Sequence, residues 1–168
     1  RLSLDYSSSS FSHSLAYSES RTERDDFALG SLSFGSSGEL NRIEYVGSAT
    51  ILPGFDLVYG VDFEEEANGS LKRDNDGAYL EFLSDFSDNF FVTAGVRRDE
   101  NDDFGSHSSY RISTAYLFAL DASVIKLKGS YGSGFRAPSL FEIDYNAGPF
   151  AFPPAAGLLL SEEQSAGF

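Results

Sequence analysis

Residues 90–118 read FFVTAGVRRDENDDFGSHSSYRISTAYLF, and two runs inside them decide the architecture. Phe90, Val92, Ala94 and Val96 alternate with Phe91, Thr93, Gly95 and Arg97; further on, Tyr110, Ile112, Thr114, Tyr116 and Phe118 alternate with Arg111, Ser113 and Ala115. Successive Cβ atoms of an extended chain point to opposite faces, so an apolar residue at every second position marks a strand with one face in an apolar medium. The polar stretch between the runs supplies the reversal.

The same period extends outward in both directions. Phe55, Leu57, Tyr59, Val61 and Phe63 share one face against Asp56, Val58, Gly60, Asp62 and Glu64. Ile125, Leu127, Gly129, Tyr131 and Phe135 oppose Lys126, Lys128, Ser130, Gly132 and Arg136. Weaker versions run through Leu15-Tyr17, Ile43-Tyr45-Ala49-Ile51 and Ala78-Leu80-Phe82. Tight turns at Ser8-Ser9-Ser10, Pro53-Gly54, Ser87-Asp88 and Leu120-Asp121-Ala122 alternate with longer polar connections at Asp25–Glu39, Ala67–Asp76 and Asp99–Ser106. An antiparallel meander puts every other link on the same rim, so one rim carries tight turns and the other long loops, as in outer-membrane barrels. Strands of roughly 10–13 residues exceed the ~5–6 of ordinary sheets and match a tilted crossing of a ~25 Å apolar band. The fold class is all-β: an antiparallel transmembrane β-barrel segment of about eight meander strands. Ser165-Ala166-Gly167-Phe168 reads as the start of one more strand, so the expectation is a fragment, residues 1–168 forming part of a barrel domain.

Composition agrees. The 168 residues include no Cys, which excludes disulfides and thiolate metal sites. Acidic residues outnumber basic ones 26 to 12, a net charge of −14 that repels phosphate backbones and argues against nucleic acid. Aromatic content of 15% is foreign to a disordered chain. No apolar run reaches the length of a membrane helix, which does not exclude a membrane, because barrel strands carry a weaker, alternating signal.

The motif order resembles a known family. Thr93-Ala94-Gly95-Val96-Arg97, then Phe104-Gly105, then Ser130-Tyr131-Gly132-Ser133-Gly134-Phe135-Arg136-Ala137-Pro138 are similar in sequence and spacing to the barrel of TonB-dependent outer-membrane receptors, most of all the siderophore and cobalamin branch. Leu160, Glu163, Ser165 and Gly167 resemble a further motif of that family, with Glu162 where the family carries proline. The resemblance is specific from about Asp76 onward and architectural before it. It implies a larger, 22-stranded barrel around an N-terminal plug, with neither the plug nor the TonB box in this sequence. It further implies TonB-energised uptake of a ferric siderophore, cobalamin or similar nutrient. The expected partners are the TonB complex, outer-membrane lipid and lipopolysaccharide, and no enzymatic activity or cofactor is expected.

Individual residues are weighed against plainer roles. The glycines at 129, 132 and 134 could suggest a phosphate loop, but that needs strand, turn and helix in succession, and no amphipathic helix is read after Arg136. Glycine admitting a close neighbour is the favoured reading. Arg97, Arg111, Lys126, Lys128, Gly132, Gly134 and Arg136 are expected on the lumen or plug side, with Tyr131 and Phe135 toward lipid. Phe141, Tyr145, Phe150 and Phe152 lie in a proline-stiffened loop that either grips a ligand or packs on its neighbours. Glu64-Glu65-Glu66 and Asp99-Glu100-Asn101-Asp102-Asp103 lack the order of a Ca²⁺ loop and read as solvated charge. His13 and His107 have no spacing for a metal, and no nucleophile elbow accompanies Ser106, His107 and Ser108. The alternatives to an energised receptor are a passive pore or small barrel, and a soluble β-rich binding module whose apolar faces would be covered by a second sheet.

Overall fold

The computed structural model describes residues 1–147 and 161–167. Nine strands form one antiparallel meander in chain order: β1 (Leu2–Ser7), β2 (Phe11–Ala28), β3 (Ser31–Leu52), β4 (Phe55–Asn68), β5 (Leu71–Phe86), β6 (Phe90–Asn101), β7 (Gly105–Leu120), β8 (Ser123–Arg136) and β9 (Glu163–Gly167), with one helix, α1 (Leu140–Ala147), between the last two. The start of a strand expected near residue 165 is therefore present as β9.

Strand length departs from the expectation. The strands between the two ends of the sheet run from 12 residues in β6 to 22 in β3. The segments read as long polar loops are largely strand, and their hairpins close on short turns at Leu29-Gly30, Gly69 and Asp102–Phe104. Leu29 and Gly30 both take positive φ, 52° and 80°, the geometry that matches a two-residue hairpin to strand twist. These segments mislead because they carry no sustained apolar alternation: past the lipid band neither side needs a continuous apolar row, while the backbone ladder continues regardless.

One face is apolar along a band. Phe55–Phe63 on β4, Ala78–Phe86 on β5, Phe90–Val96 on β6 and Tyr110–Phe118 on β7 each turn alternate apolar side chains to it, and the register aligns Leu57, Phe82, Ala94, Ile112 and Tyr131 across five strands. At the tight-turn rim this face carries contiguous aromatic rings: Phe55 meets Phe86 edge-on at 5.4 Å, Phe86 continues to Phe90, and Phe90 to Tyr116. Tyr6, Phe11, His13, Tyr45 and Tyr59 extend the series toward β1. This is the aromatic girdle expected where a barrel meets the lipid headgroups.

Among the described residues no second sheet covers that face, and only Ala16 and Leu140 are buried apolar residues. Val96 at 59% exposure and Leu127 at 63% would be a large penalty in water. The covering sheet that a soluble module requires is not found among the described strands.

Candidate functional site: a charged ladder and a docked loop on the polar face

The opposite face is polar, and the register stacks its residues in rows. Ala16, Glu44, Asp62, Gly77, Asp99 and His107 form one row across β2 to β7. Val46, Gly60, Tyr79, Arg97 and Ser109 lie one row toward the tight turns; Arg42, Glu64, Asn75 and Asn101 lie one row toward the long hairpins. Leu40, Glu66 and Arg73 follow.

Arg97 is the hub. From β6 it donates Nη1 and Nη2 to the two carboxylate oxygens of Asp62 on β4, at 2.8 and 3.0 Å, and Nε to Asp99 at 2.8 Å. It crosses the intervening strand because Gly77 on β5 leaves the path open; a methyl group there would collide with Arg97 Nη2 and lie 2.9 Å from Asp62 Oδ2. Asp62 is 2% exposed, so its charge depends on this bidentate partner. Arg42 adds a contact to Glu44 at 3.2 Å.

Above the ladder the chain leaving β8 folds back over the sheet. Arg73 pairs with Glu66 and donates Nη1 to the carbonyl of Pro138 at 2.6 Å. Glu66 accepts the amide of Leu140 at 3.1 Å with its other oxygen. Leu140 is 3% exposed, packed at the start of α1. Ser139 and Glu142 cap the helix reciprocally: Ser139 Oγ accepts the Glu142 amide at 3.2 Å, and Glu142 Oε2 accepts the Ser139 amide at 2.8 Å. That is a capping box, S-x-x-E. The helix replaces the loop read from the sequence, although Ser139-Leu140-Phe141-Glu142 carries its signal in plain view. Hydrogen bonding from the Ser139 amide, then from Arg136, holds the Glu142 carboxyl below its ordinary range.

The expected lumen-side residues divide into groups. Arg97 is consumed by the ladder. Arg111, Lys126 and Lys128 share the polar face, with Lys128 opposite Ala115 and Lys126 opposite Leu117, and none has an ion-pair partner among the described residues. Gly132 stands opposite Arg111 on that face, and its missing side chain is needed locally: a Cβ would sit 2.8 Å from the Tyr110 carbonyl oxygen.

Past Gly132 the expected parity breaks. The β7 ladder ends there, and Ser133 Oγ accepts the Tyr110 amide at 3.1 Å. Phe135 then stacks on His107, rings 3.8 Å apart and 8° from parallel, on the face of Asp99 and Asp62. Phe135 thus leaves the side of Tyr131, and Gly134 and Arg136 fall on the other side of the strand from Phe135, opposite Ser165 and Glu163. A single displaced position flips every side chain beyond it. Arg136 reaches past the strand end to both oxygens of Glu142, at 2.7 and 2.9 Å.

Phe141 and Tyr145 lie on α1 with ring centres 6.0 Å apart, and Phe141 also meets Phe34 of β3 edge-on at 6.3 Å. Phe150 and Phe152 lie outside the described residues. Of the acidic runs, Glu64 and Glu66 take the polar face while Glu65 points away toward Lys72, and Asn101 accepts the amides of Asp103 and Phe104 to build its turn. His107 donates Nε2–H to the Phe104 carbonyl at 2.8 Å, and Ser106 donates to Glu100 rather than to an imidazole. His13 lies on the apolar face, 2.7 Å from the Tyr45 hydroxyl.

A sheet with one uncovered apolar band, an aromatic girdle and a charged inner ladder is the wall of a membrane barrel, and the family model for TonB dependent receptor-like β-barrels matches residues 1–162. The chain belongs to that family. It is an outer-membrane β-barrel segment, and the family is not enzymatic. Among relatives, the vitamin B12 transporter BtuB of Vibrio cholerae serotype O1 is 26% identical over 110 residues, 62% of this chain and 17% of that protein. The vitamin B12 transporter BtuB of Photobacterium profundum is 33% identical over 72 residues, 43% of this chain and 11% of that protein. The chain therefore spans about one sixth of the first of these relatives.

Proposed function

We propose that this chain is part of the wall of a TonB-energised outer-membrane receptor that imports a scarce nutrient, and that its polar face lines the lumen against a plug supplied by the rest of the protein. The observation that carries the reading is the cationic strip of Arg111, Lys126 and Lys128. In a chain of net charge −14 these three lack carboxylate partners among the described residues, while Arg42, Arg73, Arg97 and Arg136 are all paired. Such a strip suits carboxylates on a separate element inside the barrel. A corrinoid is the first ligand to test, because the relatives named above are vitamin B12 transporters; a ferric siderophore is second.

The experiment is complementation by the complete gene in a strain lacking its own cobalamin receptor. Growth on limiting cyanocobalamin is expected, and it should require TonB. Reversing the strip with Arg111→Glu, Lys126→Glu and Lys128→Glu together should lower uptake about tenfold, the loss of roughly 1.4 kcal/mol of binding. Rescue without TonB would show a passive pore. Rescue under iron limitation in place of cobalamin limitation would move the ligand to the siderophore class.

A further inference from the structure

The apolar face ends, on the side away from the tight turns, in a shallow groove of about 520 Å³ across β5, β6 and β7. Leu80, Val96 and Tyr110 form one row of it, and the next row outward is Ala78, Arg98 and Ser108. The small side chains on both flanks leave the Arg98 side chain 60% exposed. Arg98 shares the parity of Phe90 and Val96 and follows Phe90 by eight residues. At ~3.3 Å per residue and a tilt near 45°, that places it about 19 Å up a ~25 Å apolar band. Tight turns of such barrels face the periplasm, so Arg98 meets the outer leaflet.

An arginine on a lipid-facing surface is costly unless an anion meets it. Among the described residues its ion-pair partner is Glu100, 3.7 Å away and itself 66% exposed, and such a pair is weak. A phosphate offers the planar guanidinium two parallel hydrogen bonds. Ser108 adds a hydroxyl beside it, while Ala78, Leu80 and Val96 give an aliphatic bed below. Headgroup chemistry above and acyl chemistry below describe one amphiphile. Asp76 and Glu100 stand in the next row outward and repel a bare phosphate. They favour a lipid whose phosphates are bridged by divalent cations, which accept carboxylate oxygens readily.

We propose that this groove holds one molecule of lipid A, the phosphorylated saccharolipid anchor of lipopolysaccharide. One phosphate lies on Arg98 and an acyl chain runs along Ala78, with a divalent cation linking the headgroup to Asp76 and Glu100. The inference needs only the outer-membrane placement of this wall and is independent of the nutrient imported.

The test is native mass spectrometry of the complete, detergent-purified receptor, stripped of copurified lipid. It is incubated with magnesium and equal amounts of lipid A and phosphatidylglycerol. One lipid A should be retained per receptor. Arg98→Gln should lower its retention about tenfold, the loss of a charge-assisted contact. Ala78→Phe, which fills the aliphatic bed, should lower it about fivefold. Chelating the magnesium should release lipid A from the unaltered protein. Both variants should keep the heat-modifiable gel mobility of a folded barrel; Ser108→Phe, which crowds the other flank, serves in place of either that does not. Phosphatidylglycerol retained as well as lipid A overturns the proposal. Retention of lipid A unchanged by these substitutions or by chelation, or no retention at all, overturns it equally.

Discussion

At the scale of single residues, the polar face works by removing side chains as much as by placing them. Arg97 reaches Asp62 across a whole strand because Gly77 has nothing to interpose. Removing Arg97 leaves the Asp62 carboxylate, 2% exposed, with only the longer ion pair to Arg42 at 3.8 Å. Arg97→Ala should therefore destabilise the intact receptor by about 3 kcal/mol, the low end for breaking a buried pair. Gly77→Ala should cause much of the same loss, and Arg97→Leu combined with Asp62→Leu should recover part of it. Urea-induced unfolding in lipid vesicles measures all three. An unaltered midpoint for Arg97→Ala would show that the ladder is dispensable.

At the scale of elements, α1 is expected to respond to pH through its cap. Its cap depends on the ionised Glu142 carboxylate, which accepts from Ser139 and Arg136. That carboxyl is held below its ordinary value when α1 is docked. Docking is thus fully supported above the ordinary carboxylate range and weakens as the pH falls through the lowered value. The chain has no cysteine, so Ala147→Cys gives a unique attachment point within it for a spin label. The label should gain mobility on acidification from neutral pH, and Glu142→Gln should show that mobility at every pH. Equal pH response in the Glu142→Gln protein would assign the effect to another group. The helix is legible in Ser139 and Glu142 but masked by Pro138 and the aromatic, glycine-containing stretch that follows, which favours a loop reading.

At the scale of the whole molecule, the two faces of the sheet make opposite demands. Leu57 and Ile112 lie in the central row of the apolar band, whereas Thr93 and Ser113 lie on the polar face of the same sheet. Leu57→Arg should cost about 2–4 kcal/mol of insertion, the depth-dependent penalty for arginine against lipid. Thr93→Arg should be tolerated within about 0.5 kcal/mol, as for a surface change with no buried partner. Heat-modifiable mobility after refolding into vesicles reads both. Similar losses for the two variants would mean that the faces have been assigned wrongly.

Alternation in runs such as Phe55–Phe63 and Tyr110–Phe118 was enough to determine strands and a meander and to favour a membrane over a soluble sheet, because each apolar period is a local property of a few consecutive residues. The motif from Ser130 to Pro138 was enough to point to the family. Local pattern could not show that Asp25–Glu39 and Ala67–Asp76 continue as ladder, since beyond the lipid the strands are held by backbone pairing and cross-strand ion pairs rather than by a regular apolar row. Nor could it show the slip after Gly132 that turns Phe135 onto His107. The partners Asp62 with Arg97, and Arg73 with Pro138, are 35 and 65 residues apart. Which charge meets which was decided by strand register and by the fold-back of α1, both set only when the whole sheet assembles.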